Sequence, residues 1–375
     1  MDDKAFLDVV KQAKLPGCSA MIVDADGVRY SHTSGERDAV AHAPMALDTK
    51  CQIASMTKAI VSVGAMQLVE RGKLDLDAPI GSVLPDLADP QVLEGFGEDG
   101  APKLRPANKP ITLRHLLTHT AGLGYFFIHP EVLRYFGHVG MPVPGSKASI
   151  KMPLMFDPGE SWEYSVATDW AGLAVEAVSG QSLRDYLREN VFEPLGMADT
   201  GFHDAPLADG AAIHRREGDS FVTAPMFLGG GEYDSGGGGL ISTAPDYARF
   251  LRMILRGGEL DGARILSAES VAEMSRNQIG DIRAGYMGSA MPDLAAPFDN
   301  FPDQHTGWGL GFLINPETGP AGRSPGSLAW AGIFNSYYWI DPKEGVAGVF
   351  VAQMSPFGDP GALASFAALE RMAYT

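Results

Sequence analysis

Gln52-Ile53-Ala54-Ser55-Met56-Thr57-Lys58 sets a hydroxyl three residues ahead of a primary amine. Residues 59–69 that follow are apolar nearly all round, the pattern of a helix buried in the protein. On a helix, positions i and i+3 share a face about 4.5 Å apart along the axis, so the Lys58 amine reaches the Ser55 hydroxyl. An ammonium in the first turn of such a helix is costly unless it is used. Burial favours the neutral amine, a proton acceptor, and helix-start amides favour an oxyanion forming beside Ser55. This constellation suits attack of a serine oxygen on an acyl carbon. An N-cap serine followed by a solvated lysine has the same spacing; the buried helix is what separates the two readings.

Other chemistries lack their residues or their context. A zinc protease, an α/β-hydrolase and a nicotinamide enzyme are set aside for want of His-Glu-x-x-His and of a glycine motif between strand and helix. His115 and His119 stand four apart, as two metal ligands do, but no Glu or Cys completes a set and Leu116 and Leu117 beside them read as core. Both are expected to be structural, with no metal and no cofactor. Gly236 to Gly239 precede Leu240-Ile241-Ser242-Thr243, a strand pattern, so close backbone approach is expected there.

The elements that must position Ser55 are legible from period and turn signals. A helical spacing over residues 3–13 ends at Pro16-Gly17, and strands are predicted at Cys18–Val23 and Val28–His32 around Asp24-Ala25-Asp26-Gly27. Near the other end, strands Leu328–Ile340 and Val346–Met354 flank Asp341-Pro342-Lys343-Glu344-Gly345, and a helix is predicted over Gly361–Met372. Between them the patterns are mostly helical: Ala59–Glu70, Leu113–Thr118, Trp170–Val178 and Leu183–Asn190. The predicted class is α/β (α+β). An antiparallel sheet from both chain ends, residues 1–70 and 240–375, is flanked by helices, and a mostly helical domain, 71–239, is inserted. The active site is expected in the cleft between them. Loops 81–110, 120–160 and 281–330, rich in Gly and Pro, are expected to shape it.

Composition narrows the partners. The chain has 375 residues, 45% hydrophobic and 20% charged, which describes a folded globular protein. Its net charge of −17 repels phosphate backbones and anionic lipid, so neither nucleic acid nor a membrane is an expected partner. Two cysteines, Cys18 and Cys51, are few for a disulfide-stabilised secreted protein, and the start Met1-Asp2-Asp3-Lys4 carries charge rather than a signal peptide. A cytoplasmic location is expected.

Further segments add to Ser55 and Lys58. Pro158-Gly159-Glu160-Ser161-Trp162-Glu163-Tyr164-Ser165-Val166 runs into an apolar helix, and Leu328-Ala329-Trp330-Ala331-Gly332-Ile333-Phe334 sits in a predicted strand. With the segments Ile111–Leu123 and Glu193–Thr200, these resemble the serine β-lactamase and D-alanyl-D-alanine peptidase superfamily. The chain looks most like its esterase branch, carboxylesterases with a class C β-lactamase fold, from about residue 15 to 355. The resemblance implies Ser55 as nucleophile, Lys58 as its hydrogen-bonded partner and Tyr164 as second base. It implies Trp330-Ala331-Gly332 as the third motif, with the Ile333 amide joining that of Ser55 in an oxyanion hole.

Two departures bear on substrate. Val166 stands where the penicillin-recognising branch has Asn, and Trp330 where it has a Lys that contacts a substrate carboxylate. The implied function is a serine carboxylesterase for small, neutral, short-chain acyl esters, acting through an acyl-enzyme on Ser55. Lysine and tyrosine titrate near 10 in water, so either base must be held in a site that favours its deprotonated form. β-Lactam or peptidoglycan-peptide hydrolysis, or acyl transfer by the same serine, is the alternative; a catalytically silent binding protein on this fold is the other. Tyr125, Phe126, Phe127, Trp308 and Phe334 are read as pocket walls or ordinary core. Asp169 and Glu163 are read as structural, and Arg323 is the cation that would replace the missing lysine if one does.

Overall fold

Strands Gly17–Asp24 and Val28–Asp38 pair around the predicted Asp-Ala-Asp-Gly turn, where the Asp24 carboxylate accepts from the Asp26 and Gly27 amides. The computed structural model describes residues 2–218 and 220–375. Within them, eight strands form one sheet in the order Gly307–Trp308, Leu313–Ile314, Leu328–Gly332, Ser336–Asp341, Val346–Ala352, Gly17–Asp24, Val28–Asp38, Ala43–Pro44. Every neighbouring pair is antiparallel. The two chain ends meet at Gly17–Asp24 and Val346–Ala352, in the register Ala20 opposite Phe350.

These central strands are buried on both sides because helices cover both faces. Phe366 of helix Pro360–Ala373 stacks on Tyr337 at 5.1 Å, while Tyr247 of helix Ala244–Leu255 meets Tyr338 at 5.3 Å. Adjacent residues of a strand point to opposite faces, so the two helices lie on opposite sides of the sheet.

The predicted strand Leu328–Ile340 is two strands, Leu328–Gly332 and Ser336–Asp341, joined by a turn at residues 333–335. Asn335 has φ 62°, a conformation Asn tolerates, and its side chain donates to the Met354 and Pro356 carbonyls while accepting from the Gly358 and Asp359 amides. The apolar run hides this turn from a reading by periodicity.

Helices occupy Thr57–Glu70, Leu113–Thr118, Ala167–Ser179 and Leu183–Leu187. Residues 71–239 also contain the paired strands Gln91–Phe96 with Pro102–Pro106 and His214–Glu217 with Ser220–Thr223. Helices Pro130–Val139, Ala244–Leu255 and Ala268–Ser275 were not predicted, although Thr243 and Ser267 cap the last two by accepting the Asp246 and Ser270 amides. Among the described residues, no helix is long and apolar enough to cross a membrane.

Candidate active site

Ser55 lies in a single 3₁₀ turn, Ala54–Met56, between strand Cys51–Gln52 and the buried helix Thr57–Glu70. Ala54 has φ 46°, strained for an L-residue and held by packing on every side. The helix is buried from Thr57 through Leu68, which takes Lys58 out of water: it is 1% exposed. Its Nζ donates to Ser55 Oγ at 3.3 Å, to Tyr125 OH at 3.0 Å and to the Gly237 carbonyl at 2.6 Å. A neutral amine has two N–H donors and one lone pair. Once deprotonated, with its two donors on Tyr125 and Gly237, the amine turns its lone pair to Ser55.

The tyrosine hydrogen-bonded to Lys58 is therefore Tyr125, read from sequence only as a wall. Tyr164 approaches differently: its ring face lies 4.7 Å from Lys58 Nζ, and its hydroxyl accepts from Trp330 Nε1 at 3.0 Å. Burial, reinforced by Asp169, holds the Tyr125 hydroxyl well above the usual tyrosine range, so it stays protonated. Trp330 thus supplies a neutral donor to Tyr164 where the penicillin-recognising branch has a cation. Replacing Trp330 with Phe keeps the ring and removes that donor. A fall in kcat/KM of about fivefold is expected if Tyr164 stays neutral in the rate-limiting step, and tenfold or more if it becomes anionic. Ester hydrolysis by the two proteins separates these outcomes.

Strand Leu328–Gly332 ends against the serine turn: a Cβ on Gly332 would lie 2.4 Å from the Ile53 carbonyl oxygen, so only glycine fits. The turn that follows carries Ile333 to the same wall as Ser55. Both line a cavity of about 460 Å³, together with Trp330, Ala331, Gly332, Tyr164, Tyr125, Phe126 and Phe127. Met152, Met226, Phe227, Leu228 and Leu294 make most of the remaining wall apolar. No Lys, Arg or His stands among the described lining residues.

Other expectations are corrected. Trp308 is fully buried behind Trp330 (ring centroids 4.6 Å apart) and donates to the Leu117 carbonyl, and Phe334 turns into a small core with Ala54 and Ile213. Neither is among the described residues that line the cavity. Arg323 does not replace the missing lysine: it is buried against Glu370 of the C-terminal helix. Asp169, read as structural, borders the site. It is 3% exposed, lines the cavity, and accepts from Ser235 Oγ at 2.7 Å and the Gly237 amide at 3.0 Å. Burial raises its pKa, against the opposing pull of Lys58. The close approach expected at Gly236–Gly239 is this contact; a Cβ on Gly237 would meet Asp169 Oδ2 at 2.4 Å.

His115 accepts the Thr112 amide in a capping box, and His119 meets Ser165 Oγ at 3.1 Å, held neutral by burial and by Lys58. Two segments spell the letters of other motifs without their setting. Gly95-Phe96-Gly97-Glu98-Asp99-Gly100 runs between paired strands, and Ser324 of Gly322-Arg323-Ser324-Pro325-Gly326 is buried, its amide on Asp341.

Residues 3–371 match the Beta-lactamase family. The chain belongs to that family. Among its relatives, a monacolin J acid methylbutanoyltransferase from Aspergillus terreus is 34% identical over 96% of this chain and 91% of its own length. A lovastatin esterase from Penicillium rubens is 31% identical over 94% of this chain and 92% of its own. The structure superposes on simvastatin synthase (LovD) from Aspergillus terreus, in its LovD6 mutant form, with a TM-score of 0.83. That alignment has 33% identity and covers 99% of this chain and 93% of that one. This member of the beta-lactamase family thus has acyltransferases and esterases as relatives, and it is a serine hydrolase or acyltransferase.

Proposed function

We propose that the protein is a serine carboxylesterase acting on neutral acyl esters. The observation that carries this reading is that Ser55, hydrogen-bonded to buried Lys58, lines a cavity with no Lys, Arg or His among its described lining residues. Lys58 takes the Ser55 proton as Oγ attacks the ester carbonyl, and the Ser55 and Ile333 amides hold the oxyanion. Each donor in such a hole contributes about 3 to 4 kcal/mol. Tyr164, set by Trp330, gives its proton to the leaving alkoxide and recovers one from the water that attacks the acyl-enzyme, while Lys58 returns the serine proton to Oγ as the acid leaves.

A substrate carboxylate would find no cationic partner among the described lining residues, so small, short-chain neutral acyl groups are favoured over penicillins. Short-chain p-nitrophenyl esters are expected to give a far higher kcat/KM than penicillins or cephalosporins on one preparation. The gap corresponds to lost charge-assisted contacts of about 1.5 to 3 kcal/mol each. Comparable values would overturn the reading.

Acyl transfer is the second reading, supported by the similarity to a methylbutanoyltransferase and by a cavity larger than a short ester fills. Adding a bulky apolar alcohol to the p-nitrophenyl ester assay decides between them. An esterase releases the acid alone; a transferase diverts the acyl group to a new ester.

A further inference from the structure

Lys58 Nζ is held at three points, and two of them lead to one residue. The Gly237 carbonyl that accepts from Nζ at 2.6 Å belongs to a turn, residues 235–237, with no side chain of its own at Gly237 to fix it. Asp169 fixes it instead: a single carboxylate oxygen accepts both the Ser235 hydroxyl and the Gly237 amide. Asp169 is five residues beyond Tyr164 and stands on the first turn of helix Ala167–Ser179, a rigid base for a flexible glycine segment. The third contact, Tyr125 OH, lies 3.0 Å from the Cβ position of Gly237 and so beside the same carboxylate.

We propose that Asp169 is a positioning residue for the lysine: by clamping the Gly237 peptide it aims the Lys58 amine at Ser55. The inference rests on the assignment of Ser55 as nucleophile. Asp169 is the one acidic residue among the described lining residues, so no second carboxylate duplicates it. The other titratable groups about Lys58 are Tyr125, Tyr164, His119 and, beyond Tyr125, Tyr233.

Asp169→Asn keeps an oxygen that accepts from the Ser235 hydroxyl and the Gly237 amide, so the clamp survives. Asp169→Ala removes it.

Release of p-nitrophenol from a p-nitrophenyl phosphonate, with peptide mapping of the adduct, reads Ser55 reactivity directly. Asp169→Ala is expected to lower the maximal labelling rate about 100-fold with little change in the half-saturating concentration, the scale of a misplaced catalytic group. Asp169→Asn is expected to recover to within about tenfold of the parent, and Ser235→Ala to lose about fivefold. An alanine variant labelled at near the parent rate overturns the proposal. So does an asparagine variant as slow as alanine, because the retained oxygen would then not be what holds the Gly237 peptide. If Asp169→Ala does not fold, the Asp169→Asn and Ser235→Ala rates decide alone. An adduct on a residue other than Ser55 in the parent protein would instead refute the nucleophile assignment.

Discussion

Ser55→Ala is expected to lower ester turnover by at least about 10⁴-fold, because the bond that carries the acyl group is then never formed. The protein should fold as before: Ser55 is half-buried, accepts one hydrogen bond from Lys58, and sits in a turn held by its neighbours' backbone. A phosphonate should label the parent protein on Ser55 and leave Ser55→Ala unmodified. Ser161, Ser165 and Ser235 are the nearby competitors, and the structure gives each another partner or place. Ser165 is buried against His119 and is not among the described cavity-lining residues, and the Ser235 hydroxyl is committed to Asp169, so neither is paired with Lys58. Labelling on any of the three would refute the assignment.

The second large effect is expected at Lys58. Its Nζ is the only amine hydrogen-bonded to Ser55 among the described residues, and general bases contribute about 10²- to 10⁴-fold. Lys58→Ala should fall by that amount in kcat, and in kcat/KM equally, since the amine touches the reacting oxygen rather than the ester. Its removal also strips the Gly237 carbonyl of its donor, so a thermal melt belongs beside the kinetics. Tyr164→Phe tests the second base in the same way. A loss of about 100-fold or more would give its hydroxyl a proton-transfer role, whereas near-normal turnover would leave it as a face for the Lys58 amine and a partner for Trp330. Comparing Tyr125→Phe decides which of two tyrosines does chemistry: Tyr125, protonated and bonded to Nζ, is expected to matter for aiming the amine.

Local geometry made the centre of the site readable. Three residues of helix bring a hydroxyl and an amine onto one face wherever the helix is placed, so the Ser55–Lys58 pair needed no knowledge of the fold. Hairpin turns are equally local, and the Asp-Ala-Asp-Gly turn and the pairing of its flanking strands follow from residues within a few positions of one another. Period gave the terminal helix and the buried one. It failed at residues 333–335, where an apolar run conceals a turn stabilised by contacts with Met354 and Pro356.

Tertiary structure decided everything that joins distant segments. Tyr125 reaches Lys58 across 67 positions and Gly237 across 179, and nothing in the local pattern of either segment marks it. Asp169 looks like an ordinary helix-start acid until the glycine turn at 235–237 folds onto it. Trp308, read as pocket wall or core, packs against Trp330 without lining the cavity that Trp330 lines. The physical reason is the same in each case. Sequence periodicity tells which side of an element is buried, but a buried side faces either core or cavity, and only the packing of remote segments decides which.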